Sequence, residues 1–155
     1  MKVVAIPNDE SVWASVASWS HAAWSEDFPG DTEQTYLDIY ARASINGSSL
    51  PYVCVAFDHL NAPIGTATLV EDDELPGFKS FGPWLAAVWV ESNHRRKGVA
   101  NAMVEHIESV ARSNGFLELH LYTHDQQAWY ARHGWISIGT GKLAVHEVTV
   151  MRKQL

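Results

Sequence analysis

Residues 84–115 hold the feature that most narrows what this chain can fold into. Trp84 to Val90 is an unbroken apolar run of strand length. A short polar stretch follows, Glu91 to Lys97, and then Gly98. From Val99 the apolar period changes. Val99, Met103, Ile107 and Val110 share one face of a helix that runs to Ser113, and Asn114-Gly115 stops it. An apolar run without alternation predicts a strand buried on both faces of its sheet. A strand that hands over directly to an amphipathic helix predicts layered α/β architecture.

The rest of the chain fits around that unit. Lys2–Ile6 reads as a first strand, and Ser11–Trp24 as a helix with Val12, Val16, Trp19 and Ala23 at helical spacing. Pro29 and Gly30 mark a loop, and Glu33–Ser44 reads as a second helix. Tyr52–Asp58 and Ile64–Val70 form a hairpin around the turn His59–Pro63. Leu117, Leu119 and Leu121 alternate with Glu118, His120 and Tyr122, a further strand. Asp125 is placed to cap a short helix, Gln126–His133, which Gly134 ends. Trp135–Gly139 and Val145–Met151 predict a closing antiparallel pair. The expected fold is a mixed sheet of about seven strands flanked by about four helices, in one domain spanning residues 1–155.

Composition excludes several function classes. The net charge of −7 opposes nucleic acid, whose binders neutralise phosphates with a basic face, and favours cationic partners. No apolar run is long enough to predict a membrane span. The single cysteine, Cys54, forms no intrachain disulfide, and no signal peptide is legible at the start. A reducing, cytoplasmic setting is expected. Seven tryptophans are many for 155 residues, and they fit either a core or the walls of a cleft.

The junction itself has chemistry. Free N–H groups and the positive end of the dipole at a helix start attract phosphate, and Gly98 lets the backbone come close to it. Arg95, Arg96 and Lys97 add positive charge beside it. Neither a P-loop nor a dinucleotide fingerprint is present. On the residues alone the segment fits a phosphate cradle, and it also fits a plain turn with solvated cations.

Arg95-x-x-Gly98-x-Ala100 resembles the Gln/Arg-x-x-Gly-x-Gly/Ala signature of the GNAT superfamily of N-acetyltransferases, in its usual place between strand and helix. Tyr130-x-x-x-Gly134-Trp135 resembles that family's Tyr-x-x-x-Gly-Phe/Trp block. The likeness covers residues 50–151, and the first 45 only by element order. It implies acetyl-CoA as co-substrate, with no metal. The backbone of Val88, Trp89 and Val90 would pair with the pantetheine arm. The amides from Arg95 or Arg96 through Lys97, Gly98, Val99, Ala100 and Asn101 would hold the pyrophosphate. The fourth and fifth strands would splay to admit the cofactor. Tyr130 would serve as the acid at sulfur. Thr123 stands where many members have Asn, seven residues before the tyrosine. The resemblance also implies a homodimer as one assembly, and a non-catalytic acetyl-CoA-binding module of the same fold as the alternative function.

Direct acyl transfer needs a neutral amine, whereas an alkylammonium has a pKa of about 10.4. A base is therefore expected. Glu118 and His120 share one face of their strand, and Glu91 ends the preceding one; a water chain would also serve. Glu118 lies twelve positions before Tyr130, a spacing some family members use for a base carboxylate. For the acceptor, Trp19, Trp24, Glu26, Asp27, Phe28, Tyr36 and Tyr40 offer aromatic faces beside carboxylates, and Glu71-Asp-Asp-Glu74 adds charge. These suit a small-molecule amine or a basic peptide.

Overall fold

The computed structural model describes all 155 residues. In chain order the elements are β1 (Lys2–Ala5), α1 (Glu10–Trp24), α2 (Glu33–Ala43), β2 (Tyr52–Phe57), β3 (Pro63–Val70), β4 (Trp84–Val90), α3 (Val99–Ser113), β5 (Glu118–Thr123), α4 (Gln127–Arg132), β6 (Ile136–Lys142) and β7 (Glu147–Gln154). They form one seven-stranded sheet in the order β1-β2-β3-β4-β5-β7-β6. Only β4 and β5 pair in parallel; every other pair is antiparallel. The mixed sheet and four helices match the sequence reading.

Both faces of the sheet are covered, and alternation decides which residue meets which helix. On β2, Val53, Val55 and Phe57 pack with Val12, Val16, Tyr36 and Tyr40 of α1 and α2. Tyr52, Cys54 and Ala56 turn the other way, toward Met103 and Ile107 of α3. Gly65 of β3 lies under α3, where an added Cβ would fall 2.9 Å from Met103 Cε, so glycine there lets the helix sit close to the sheet. A third, smaller cluster holds Leu75, Trp84, Leu143, Val148 and Val150. It fastens the β3–β4 connection to β7.

Local chemistry fixes the ends. Asp9 caps α1, its carboxylate accepting from the N–H groups of Ser11 at 2.9 Å and Val12 at 3.4 Å. The expected Asp125 cap of α4 does not form. Gln126 occupies the cap position without a side-chain bond, and the Gln126 N–H goes to Thr123 Oγ1 at 3.0 Å. Leu117 lies outside β5 and is 79% exposed.

The expectation for β4 needs correction. Trp84, Leu85 and Val90 are buried, but Ala86 to Trp89 are only half-buried. The reason lies in the pairing. β4 meets β5 in register only at Trp84 and His120, with a further bond from His120 N–H to the Pro83 carbonyl. Beyond that point the two strands part. A bulge contributes on the other side: the register runs Thr66 to Trp89 and Thr68 to Ala86, so Ala87 and Val88 oppose Ala67 alone. Ala87 takes a φ of 52°, unusual for a residue with a side chain. The central strands are splayed, and the middle of β4 faces the opening.

Candidate active site

The parting strands open a cleft of about 1280 Å³. Parallel strands that diverge toward their carboxyl ends form the crevice where α/β folds place ligands. Along one side run Val88, Trp89 and Val90, then Arg95, Arg96, Gly98, Val99, Ala100 and Asn101. Trp129 and Tyr130 of α4, and His133 just past its end, line the same cleft. Trp24, Asp27, Phe28, Tyr36, Tyr40 and Glu71 to Glu74 line it too.

The β4–α3 connection is shaped for an anion. Arg96 and Gly98 both adopt the left-handed conformation, at φ 60° and 83°. Successive turns of this kind aim backbone N–H groups into one concavity. From Arg96 through Asn101 no backbone N–H has an acceptor within the chain, and α3 adds its dipole at that end. The three cations do different things. Arg95 donates from Nε to the Val90 carbonyl at 2.9 Å and lies over the Trp89 ring at 4.7 Å. Lys97 donates to the Asn93 carbonyl at 2.9 Å and does not line the cleft. Both brace the loop. Arg96 alone makes no side-chain bond and lines the cleft.

Tyr130 is held by the turn that follows it. Gly134 takes a φ of 89°, α4 stops, and the Trp135 N–H returns to the Tyr130 carbonyl at 3.2 Å. The Trp135 ring then meets the Tyr130 ring edge-on at 5.9 Å. Tyr130 is 8% exposed and its hydroxyl has no partner in the chain. Burial, with Asp125 adding a little, pushes its pKa up. A neutral phenol that keeps its proton is a hydrogen-bond donor.

The three base candidates lie elsewhere. His120 is 1% exposed, between the rings of Phe81 at 5.3 Å and Trp84 at 5.5 Å. Neither ring nitrogen makes a hydrogen bond, although Nε2 lies 3.7 Å from Glu118 Oε1, and burial lowers its pKa. Alternation puts His120 opposite Leu119 and Leu121, but the β3–β4 connection covers that face. Glu118 sits at the start of β5, away from the diverging end. It accepts from Gln154 Nε2 at 3.2 Å and lies 3.8 Å from Arg152 Nε. Neither these two nor Glu91 lines the cleft. Trp19 and Glu26 also lie outside it.

The acidic end carries contacts that sequence reasoning did not foresee, although Asp27, Tyr36 and Glu71 to Glu74 were among its candidates. Asp27, 9% exposed, binds His146 of the β6–β7 turn through both oxygens, at 3.0 and 2.8 Å. The His146 ring stacks on His124 at 4.1 Å. The Tyr122 hydroxyl donates to the Asp73 carbonyl at 3.2 Å. The Asp73 carboxyl is pushed up to about 8, mainly by desolvation, with Glu74 and Asp72 adding to it. Burial, then Asp31 and Asp73, takes Tyr36 up to about 12. No spacing rule flags these contacts, because the groups meet across more than a hundred residues in one case and through an irregular loop in the other.

Residues 13–135 match the family model described as the acetyltransferase (GNAT) family. The chain belongs to the GNAT acetyltransferase family. It is therefore an acyltransferase. Solved GNAT structures share its whole extent at low identity. An aminoglycoside 6'-N-acetyltransferase complexed with coenzyme A is 14% identical, with 99% of this chain and 97% of that one covered and a TM-score of 0.75. The ribosomal-protein-alanine N-acetyltransferase from Brucella melitensis is 17% identical, covers 100% of both chains and has a TM-score of 0.76. The PaiA N-acetyltransferase from Thermoplasma acidophilum, in complex with coenzyme A, is 18% identical, again over 100% of both, at 0.69. No curated protein matches the sequence. No helix of this GNAT chain is long and apolar enough to cross a membrane.

Proposed function

We propose that this chain transfers the acetyl group of acetyl-CoA directly to the amine of a cationic small molecule or basic peptide. One observation carries the reading: a single cleft contains both a cradle of free amides and a pocket of aromatic rings and carboxylates. The first suits a pyrophosphate, the second an organic cation. The fold neighbours that carry coenzyme A, and the names of those that acetylate an aminoglycoside or a ribosomal-protein alanine, support the same pairing.

In this reading the main chain of Val88, Trp89 and Val90, freed from β5, binds the pantetheine arm. The N–H groups of Arg96, Lys97, Gly98, Val99, Ala100 and Asn101 hold the pyrophosphate, with the Arg96 guanidinium beside them and Arg95 fixing the loop. The amine nitrogen attacks the thioester carbon, the C–S bond breaks, and Tyr130 gives its proton to the departing sulfur. Cys54 supports direct transfer: it is fully buried, its thiol pushed up to about 12 by desolvation, and it cannot serve as an acyl carrier.

The test is Tyr130→Phe. Loss of a positioned proton donor should lower kcat by about 10²-fold or more. Affinity for coenzyme A, measured by titration calorimetry, should stay within about twofold. Unchanged turnover would remove Tyr130 from the mechanism.

A further inference from the structure

The chain has five tyrosines, and three of them use their hydroxyl inside it. Tyr40 meets Ser20 Oγ at 3.1 Å, Tyr52 meets His106 Nε2 at 2.7 Å, and Tyr122 donates to the Asp73 carbonyl at 3.2 Å. Tyr130 and Tyr36 bond to nothing in the chain, and both line the cleft. Tyr130 has its role at the sulfur in the reading above, and Tyr36 has none. We propose that the Tyr36 hydroxyl, with Asp31 and Asp73, holds a second ammonium of the acceptor, which makes that acceptor an aliphatic diamine or polyamine. This rests on the amine reading and narrows it.

Position carries the inference. Tyr36 ends the first turn of α2, and its ring belongs to the cluster of Val53 and Val55 on the α1–α2 face of the sheet. The residue is 9% exposed, yet its hydroxyl opens onto the cleft. Tyr130 belongs with Leu85 and Leu121 on the α3 face. The two free hydroxyls therefore reach the cleft from opposite faces, and Tyr36 does not duplicate the donor at the sulfur. Asp31 directly precedes Thr32, the cap of α2, and its N–H bonds to the Phe28 carbonyl at 3.0 Å. The main chain of Asp73 is held by Tyr122. Of the acids that line the cleft, Asp27 is committed to His146, while Glu71, Asp72, Glu74 and Asp125 are exposed. Asp31 and Asp73 alone are half-buried, and no cation pairs with either. Arg42 of α2 lines the cleft too, but it is exposed and makes no ion pair.

A nearly buried hydroxyl left without a partner is costly unless a ligand completes it. Burial first, then Asp31 and Asp73, raises the Tyr36 pKa to about 12, so the phenol keeps its proton. A neutral phenol beside two carboxylates can donate to one of them and still accept from a cation. An ammonium brings three donors and satisfies all three groups at once, whereas an anion would be repelled. The nitrogen held there is not the one that reacts. Carboxylates beside an ammonium stabilise its charged form, and attack on the thioester needs a neutral amine. The acceptor therefore carries two nitrogens, one kept charged at Tyr36 and one delivered to the acetyl group. Ile39, Val70, Ala86 and Ala87 also line the cleft, and an apolar wall suits the methylene chain between them.

The experiment pairs each linear diamine, with chains of three to eight methylenes, with the monoamine in which a methyl group replaces the second amine. Wild-type kcat/KM should favour the diamine over its monoamine by about 10-fold or more for at least one length. Tyr36→Phe should reduce that preference by about 10-fold, with the loss in KM and kcat for the diamine held within about threefold. Asp31→Asn should reduce it in the same direction. Tyr36→Phe keeps the ring and removes no bond within the chain, so it should fold and melt as wild type does. Equal use of diamine and monoamine by wild type at every length would overturn the proposal. So would a Tyr36→Phe enzyme that keeps the preference, including one that loses rate on both amines in parallel. If no diamine is acetylated while some other amine is, the diamine class is wrong and the amine reading stands. If wild type binds acetyl-CoA and acetylates no amine, the amine reading fails and takes this proposal with it.

Discussion

His120 and Tyr130 show how burial divides two residues that look equally reactive in a sequence. Each stands in or beside a motif and each is nearly inaccessible. Tyr130 keeps its hydroxyl in the cleft because Gly134 turns the chain and Trp135 pins the ring from behind. His120 has its ring closed in by Phe81 and Trp84, with no hydrogen bond at either nitrogen. That has a consequence for stability. Burial lowers the pKa of His120 below its ordinary 6.5, and lowers that of His106 likewise. The unfolded chain therefore binds protons that the native chain refuses. The stability these residues contribute is present above about pH 6.5 and is lost as pH falls from there. Urea unfolding between pH 7 and 5 should show that decline. His120→Met should flatten it, and at pH 7 should be no less stable than wild type, since an unsatisfied buried ring is replaced by an apolar side chain. An equal slope in both proteins would contradict this account of His120.

At the scale of elements, the β4–α3 handover was legible because it depends on local signals. Period, a glycine at the helix start and an Asn-Gly stop gave Val99–Ser113 its bounds. What escaped was long-range. Nothing in Ala87 announces a bulge, since alanine seldom takes a positive φ; the neighbouring β3 register imposes it. The half-burial of β4 follows from β5 leaving it, and no property of β4 alone predicts that. The seven tryptophans divide the same way: Trp84 and Trp135 are core, Trp13 and Trp19 of α1 pack against the cluster that α1 and α2 form with β2, and Trp24, Trp89 and Trp129 line the cleft. The Asp27–His146 pair is the plainest case of a contact between elements that spacing cannot reveal. It ties the α1–α2 connection to the β6–β7 turn. His146→Ala should leave a buried carboxylate without its donor and lower unfolding free energy by about 2 kcal/mol. In thermal melts of a chain this size that is a shift of about 4–8 °C. Asp27→Asn combined with His146→Ala should cost less than the two single changes added together, because both remove the same contact. Strict additivity would mean that the pair does not couple the two loops.

Across the whole molecule, charge is distributed along the cleft as much as over the surface. The net charge of −7 includes Asp27, Asp31 and Glu71 to Glu74 at one end, while Arg95, Arg96 and the amides of the α3 start occupy the other. A bisubstrate reaction between an anionic cofactor and a cationic acceptor needs that polarity, and proximity within one cleft supplies much of the rate. The fold was readable because strands and helices followed one another in an order that few architectures satisfy. The end proposed for the cofactor was readable because it lies within fourteen consecutive residues, Val88 to Asn101. The end proposed for the acceptor is assembled from the α1–α2 connection, the β3–β4 connection and the chain after β5, so only its composition was legible. The measurement that tests the account most directly is thiol release from acetyl-CoA by the wild-type protein, with and without a panel of polyamines and lysyl peptides, alongside mass spectrometry of the amine. The account predicts that at least one amine accelerates release and appears acetylated in equal amount. Tight binding of acetyl-CoA with no amine-dependent release would contradict it.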